Sequence, residues 1–245
     1  MRHVRRFGVV GVFLLAACGG GNSAPKERGL TSDEADRLAS VLYTNHETGG
    51  ATFSLATAFT ATGDSLTMNG IVDWVKHQGH ATVTASGQEQ GIAEVFWNQS
   101  LVLERRPALA GPLAALGHEG AMFVARPIDT TKRQLDRSIG VLVGLASTVR
   151  DNGILIMQKE GSAFLRRDTW QGKPAEVLRY GTQNRYWLEP GTSILHRFDG
   201  NAAAGSAPIV IDLLSREPHT IKPPSPAQVL SVDAIKDLYA AVSGQ

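Results

Sequence analysis

The sequence predicts an α+β fold, one large curved antiparallel sheet with helices covering its concave face. Three observations predict it. Short segments of alternating apolar and polar residues follow one another with only tight turns between them, giving about eleven strands in one antiparallel order. Helical periodicity is confined to stretches near the start, the middle and the end of the chain. No fixed-period repeat is present, and successive hairpins favour one sheet over two sandwiched sheets. The midchain helices then need a surface to cover, and the concave face supplies it.

The elements follow in order. Thr31 and Glu34 are spaced as a capping box, and Leu38, Val41 and Leu42 give the first helix one apolar stripe before Gly49-Gly50 ends it. From residue 51 the period becomes two. Phe53, Leu55 and Phe59 share one face of a half-buried strand, with Thr52, Ser54, Thr60 and Thr62 on the other. Gly63-Asp64 turns the chain, and Leu66, Met68, Val72 and Trp74 continue the alternation, with Asn69-Gly70 read as a bulge or bend. After His77-Gln78-Gly79, Ala81, Val83 and Ala85 mark a third strand. Ile92 to Trp97 marks a fourth, and Leu101 and Leu103 a fifth. Pro107 to Leu116 reads as a short helix and Thr131 to Val149 as a long one, with Leu135, Ile139, Leu142, Val143, Ala146 and Val149 on one face. Asp151-Asn152-Gly153 stops it. Strands are then predicted at 154–158, 163–167, 175–180, 185–189, 193–198 and 208–214, a proline-rich extended segment at 218–226, and a last helix at 231–242.

Ahead of this body lies a different kind of segment. Arg2, Arg5 and Arg6 precede an apolar run, Phe7 to Ala17, which ends in Leu15-Ala16-Ala17-Cys18. That is the layout of a secretory signal peptide at 1–17, too short to span a bilayer permanently. Leu-Ala-Ala-Cys also resembles a bacterial lipobox, which implies a diacylglyceryl group on Cys18, the only cysteine of the chain. The other reading is an ordinary signal cut after Ala17, leaving a free thiol. Residues 18–30, glycine-rich at their start, read as a flexible lipidated tether, and 31–245 as a single domain.

Composition narrows the function classes. The chain carries 24 basic and 23 acidic residues; without the leader, 21 basic remain against 23 acidic. No basic excess points to nucleic acid. A 42% apolar content supports a core. No complete catalytic set is visible. His118-Glu119 would need a histidine at 122 to form a zincin motif, where Met122 stands; Ser193 lacks the glycine of a nucleophile elbow; His77 and His80 are an incomplete zinc site. No cofactor and no metal are expected.

One resemblance covers the layout of most of the mature chain. The leader, the short first helix, the threonine-rich strand pair around 60–70, the central helical insert and the late hairpin Tyr186-Trp187-Leu188-Glu189-Pro190-Gly191-Thr192-Ser193-Ile194-Leu195-His196-Arg197-Phe198 look like the LolA/LolB-like lipoproteins, nearest in character to the actinobacterial LppX and LprG type. The resemblance implies a half-barrel sheet closed by helices over an apolar cavity. It also implies an envelope lipoprotein, on the outer face of the cell membrane or on an outer membrane, that binds lipid or acyl chains and carries or presents them. Its partners would be a lipid or lipid-linked molecule, the membrane through the anchor, and a protein of the envelope. A non-catalytic interaction or stress-sensing module on the same fold is the alternative, and an enzyme with an unrecognised site is a third reading. The cavity candidates are Phe53, Leu55, Phe59, Leu66, Met68, Val72, Leu101 and Leu103 on the strands and Leu135, Ile139, Leu142 and Val143 on the long helix. Each also reads as plain core. Arg105-Arg106 and Arg166-Arg167 read as solvated strand edges that could meet anionic headgroups.

Overall fold

A computed structural model describes residues 27–58, 63–115, 117–201 and 207–234. The first helix, α1 (Ser32–Thr48), opens with the predicted capping box: Thr31 Oγ1 accepts from the Glu34 N–H, and the Glu34 carboxylate accepts from the Thr31 N–H. It ends at Gly49, whose φ of 85° is the left-handed turn that suits glycine. Strands β1 (Gly50–Ala58), β2 (Ser65–Asp73), β3 (Gln78–Ala85), β4 (Glu94–Trp97) and β5 (Leu101–Arg105) then form an antiparallel meander. A short α2 (Ala110–Ala115) leads to β6 (Phe123–Pro127). Next come α3 (Gln134–Val143) and α4 (Gly153–Gln158). A second meander follows, β7 (Ala163–Trp170), β8 (Lys173–Tyr180), β9 (Asn184–Leu188), β10 (Leu195–Asn201) and β11 (Pro208–Arg216). The short β12 (Val229–Ser231) joins β6 in parallel.

Among the described residues, twelve strands belong to one open sheet, ordered β12-β6-β5-β4-β3-β2-β1-β11-β10-β9-β8-β7. This is the predicted α+β architecture, half-barrel-like and not closed. The order explains why helices cover the concave face. The strands β6 and β7 are neighbours in sequence but lie near and at opposite edges of the sheet, so the chain between them must cross the whole sheet. It crosses as α3, then runs back along α1, where the Ser147 and Asp151 N–H groups donate to the Leu42 and Ala39 carbonyls.

Several expectations are corrected. The long helix predicted for 131–149 is the ten-residue α3: Asp129 Oδ1 accepts from the N–H groups of Thr131 and Lys132 and forms a turn before it, and the helix stops at Gly144. Residues 154–158 are helical, not a strand. Asn152, read as a stop, is instead an N-cap whose side chain accepts from the Ile154 and Leu155 N–H groups. No bulge occurs at Asn69-Gly70, where the register is continuous against both neighbours. Gly70 serves close approach: a Cβ there would come within 2.0 Å of the His80 carbonyl oxygen. The strands β6 and β12 were not foreseen; both are short, and β6 turns an arginine inward. The last helix begins at Val232, with the Ala234 N–H on Ser231 Oγ, and its predicted continuation lies outside the described residues.

Candidate functional site

The concave face is built in two halves. In the first, β1 and β2 turn Phe53, Leu55, Leu66, Met68 and Val72 inward, each at most 2% exposed. From above, α3 contributes Leu135, Ile139 and Leu142, equally buried, and α1 contributes Leu38 and Val41. The second meander adds Phe164, Leu178, Leu188, Leu195, Ile209 and Ile211 to the same cluster. The alternation seen in sequence is therefore real in β1 to β3, and it gathers these candidates beneath α3. Val143 lies half-buried at the flank of α3. Phe59 and Cys18 lie outside the described residues.

Leu101 and Leu103 are a correction. Val102 and Glu104 are the inward residues of β5, opposite Trp97 and Val95 of β4. Leu103 faces away from the helices in register with Phe96, and Leu101 is 37% exposed. The phase was misread because the inward position beside Val102 carries a charge.

That charge belongs to the second half. Here the concave face holds Glu104 (3% exposed), Arg126 (8%) and, from α3, Asp136 (0%). Arg126 donates two parallel bonds of 2.7 Å to Asp136 and one of 2.6 Å to Glu104. Arg106 and Arg133 also reach Glu104, and Arg133 pairs with the buried Glu89. The Asp129 N–H closes the shell of Asp136 at 2.5 Å. Burial works against the charge on Arg126, but the bonds to Asp136 and the field of Glu104 outweigh it and hold the guanidinium above its ordinary pKa. Three arginines against three carboxylates leave the group balanced within itself. It fixes the N-terminal half of α3 to β5 and β6, with Gln134 adding a bond to Thr57 of β1.

The C-terminal end of α3 is held differently. Trp74 Nε1 donates to the Leu142 carbonyl at 3.0 Å, and Asn45 of α1 donates to the Leu145 carbonyl at 2.6 Å. Arg216 donates to the Asn45 side chain in turn, and burial lowers its pKa to about 10, still charged at neutral pH. Along the flank of α3 runs a slot of about 190 Å³, bounded by Asp136, Ile139, Gly140 and Val143 on the helix and by His77, Trp97, Asn98, Gln99 and Ile128 beside it, so polar and apolar side chains share its wall. It is smaller than the roughly 300–1,000 Å³ of sites that engulf a small ligand. Trp97 Nε1, beside this slot, and Ser138 Oγ, on α3, are buried with no hydrogen-bond partner.

Of the remaining candidates, His80 and three of the arginines are engaged within the protein. His80 bonds Glu94 at 2.8 Å and stacks on Phe96, away from any metal-like cluster. Among the described residues no group of three or more His, Cys, Asp or Glu side chains is placed to hold a metal ion. Arg105, Arg106 and Arg166 are paired with Glu94, Glu104 and Asp168. Sequence reasoning missed the ionic half completely, because its members come from four separate stretches. It also missed a small second core on the helix-free face, where Trp170, Ala175, Val177 and Trp187 pack together and Trp170 donates to Asp212.

No family model and no curated protein matches this sequence. Solved structures similar to it include LprF from Mycobacterium bovis, at 12% identity and TM-score 0.47 over 81% of this chain and 99% of that one. An uncharacterized conserved protein from Thermus thermophilus matches at 10% identity and TM-score 0.39, over 80% and 95% of the two chains. A chain of the Pseudomonas aeruginosa MucA/MucB complex matches at 9% and 0.33, over 80% of this chain and 59% of that one. At such identities and TM-scores these likenesses carry no argument about ligand or activity.

Proposed function

We propose that this protein is an exported lipoprotein of the cell envelope, anchored through Cys18, whose domain at 31–245 binds a lipid or acyl chain between α3 and the concave face and carries or presents it. The observation that carries the reading is the construction of α3 as a cover. One ten-residue helix lies over an aliphatic surface, Phe53, Leu55, Leu66, Met68 and Val72, with a slot along its flank. Its own underside, Leu135, Ile139 and Leu142, is chemically close to an acyl chain. An acyl chain entering beside Val143 exchanges one set of methylene contacts for another. Each methylene buried is worth about 0.8 kcal/mol, so the exchange is nearly balanced and a displaced α3 costs little hydrophobic contact. Recognition by area needs no catalytic or metal-binding set, and we read the protein as a carrier and not an enzyme.

A second reading is favoured by a specific observation. The concave candidates are already packed against one another, with Phe53, Leu55, Met68, Leu135 and Leu142 at 0% exposure. If that packing is permanent, the domain is an interaction module and its exposed surfaces bear the function. Native mass spectrometry of the full protein taken from its own membranes, followed by lipid extraction, separates the two. A stoichiometric lipid beyond the covalent anchor supports the carrier. A protein that retains none, and recovers a protein partner on crosslinking, supports the module.

A further inference from the structure

The helix α4 leaves most of its aliphatic side chains in the open. Ile154 is 60% exposed, Leu155 65% and Met157 42%, with Val149 just upstream at 69%; only Ile156 is buried. A surface helix ordinarily does the reverse, and a cluster of exposed aliphatics on a folded domain marks a contact surface. Two of the polar side chains beside it are engaged elsewhere. Arg150 donates to the Asp36 carbonyl at 3.1 Å, and Asn152 caps the helix itself.

What covers this ridge is indicated by where the chain enters the body. Arg28 pairs with Phe164 at the start of β7, with N–H to carbonyl bonds in both directions of 3.1 and 2.8 Å. Arg179 bonds Glu27 at 2.5 Å and the Gly161 carbonyl at 2.6 Å. Gly161 is three residues past the end of α4, and the Ser162 N–H donates to the Lys159 carbonyl. The N-terminal end of the described body and the far end of α4 therefore share one arginine. Cys18 lies nine residues before Glu27, a reach of at most roughly 30 Å.

We propose that the exposed ridge at 149–157 docks on the membrane, with Val149, Ile154, Leu155 and Met157 seated at the headgroup–acyl boundary of the bilayer that holds the Cys18 lipid. The proposal rests on the lipid-anchor reading above. The partner is apolar, because the exposed side chains of the ridge carry no charge; Arg150 and Arg179 are bonded within the protein, and Lys159 just past α4 is followed by Glu160. Docking then turns the end of the sheet that carries the β8–β9 turn toward the bilayer, and its strength depends weakly on salt.

The test uses the full mature protein, isolated from host membranes and placed in phosphatidylethanolamine–phosphatidylglycerol vesicles that contain nitroxide-labelled lipid. With Cys18 acylated, Leu155→Cys offers a single thiol for a fluorophore. Val75→Cys is the control, because Val75 is 57% exposed on the β2–β3 turn at the opposite end of the sheet. The expected result is quenching of the label at 155 that exceeds quenching at 75 by at least about three-fold and survives high salt. Equal quenching at both sites, or a label at 155 shielded from water without lipid quenching, overturns the docking surface; the latter assigns the ridge to a protein partner or to this chain. Two dyes per molecule show Cys18 free, which overturns the anchor reading and the docking with it.

Discussion

The two halves of the concave face solve the same problem with opposite physics. On the side of β1 to β3, α3 packs into a cluster of aliphatic and aromatic side chains, whose attraction has no preferred direction. Over β5 and β6 it meets Glu104 and Arg126, held in fixed forks by Asp136, Arg106 and Arg133. A methylene surface accepts any other methylene surface in exchange. A buried ion network accepts almost nothing, because each member left alone carries an unpaired charge. The difference makes α3 a helix fixed by charge at its N-terminal half, tied at its C-terminal end by the bonds from Trp74 and Asn45, and exchangeable along its aliphatic underside.

Breaking the ionic half gives the largest effect. Arg126→Ala leaves Asp136 and Glu104 buried without their main partner and is expected to destabilise the domain by about 3–5 kcal/mol in chemical denaturation. Arg126→Met combined with Asp136→Leu removes both charges at once and is expected to cost much less than Arg126→Ala. A double variant as unstable as the single one would show that the pair itself supplies net stability. In the apolar half, Leu142→Ala is expected to cost about 2–4 kcal/mol.

The phase of β5 sharpens the boundary between the halves. Val102→Ala, at a fully buried inward site, is expected to cost about 1–2 kcal/mol, and Leu101→Ala less than about 1 kcal/mol. The reverse order in thermal melts would return the leucines to the concave face.

Much of the apolar half was legible in the sequence, and the reason is local. Phe53, Leu55, Leu66 and Met68 alternate with threonine, serine and asparagine, so period and burial agree. Thr31 and Glu34 announce α1 because a cap involves only near neighbours. The ionic half was not legible. Glu104 and Arg126 occupy inward positions that a sequence reading assigns to water, and their partners Glu89, Arg133 and Asp136 are brought together only by the completed sheet. The same inward charges hid β6 and inverted β5. The helix α4 was lost to an ambiguity of Asn152-Gly153, which suits a stop as well as a start.

A further small effect concerns acid. Glu34 is held down to about 2 by its two hydrogen bonds from Arg28, assisted by the Thr31 N–H and opposed by burial. A carboxyl whose folded pKa is depressed stabilises fully above its unfolded value and loses that contribution as pH falls through the folded one. The loss therefore runs from about pH 4.5 down to about pH 2. Arg28 is half exposed, so screening reduces the contribution to about 1 kcal/mol. Glu34→Gln is expected to remove that part of the acid sensitivity, read as a flatter dependence of Tm on pH over this window.

The most direct test of α3 as a cover over an acyl site is to fill the slot without weakening the fold. Gly140 lines the slot, and a Cβ built on it approaches nothing closer than 3.7 Å, so Gly140→Leu has room for its first atom and replaces a poor helix former. Native mass spectrometry of this variant beside the unmodified protein should show extractable lipid in the latter and a loss of about ten-fold or more in the former, with stability unchanged or raised by about 0.5–1 kcal/mol. Equal lipid in both proteins, or none in either, would contradict an acyl site beneath α3.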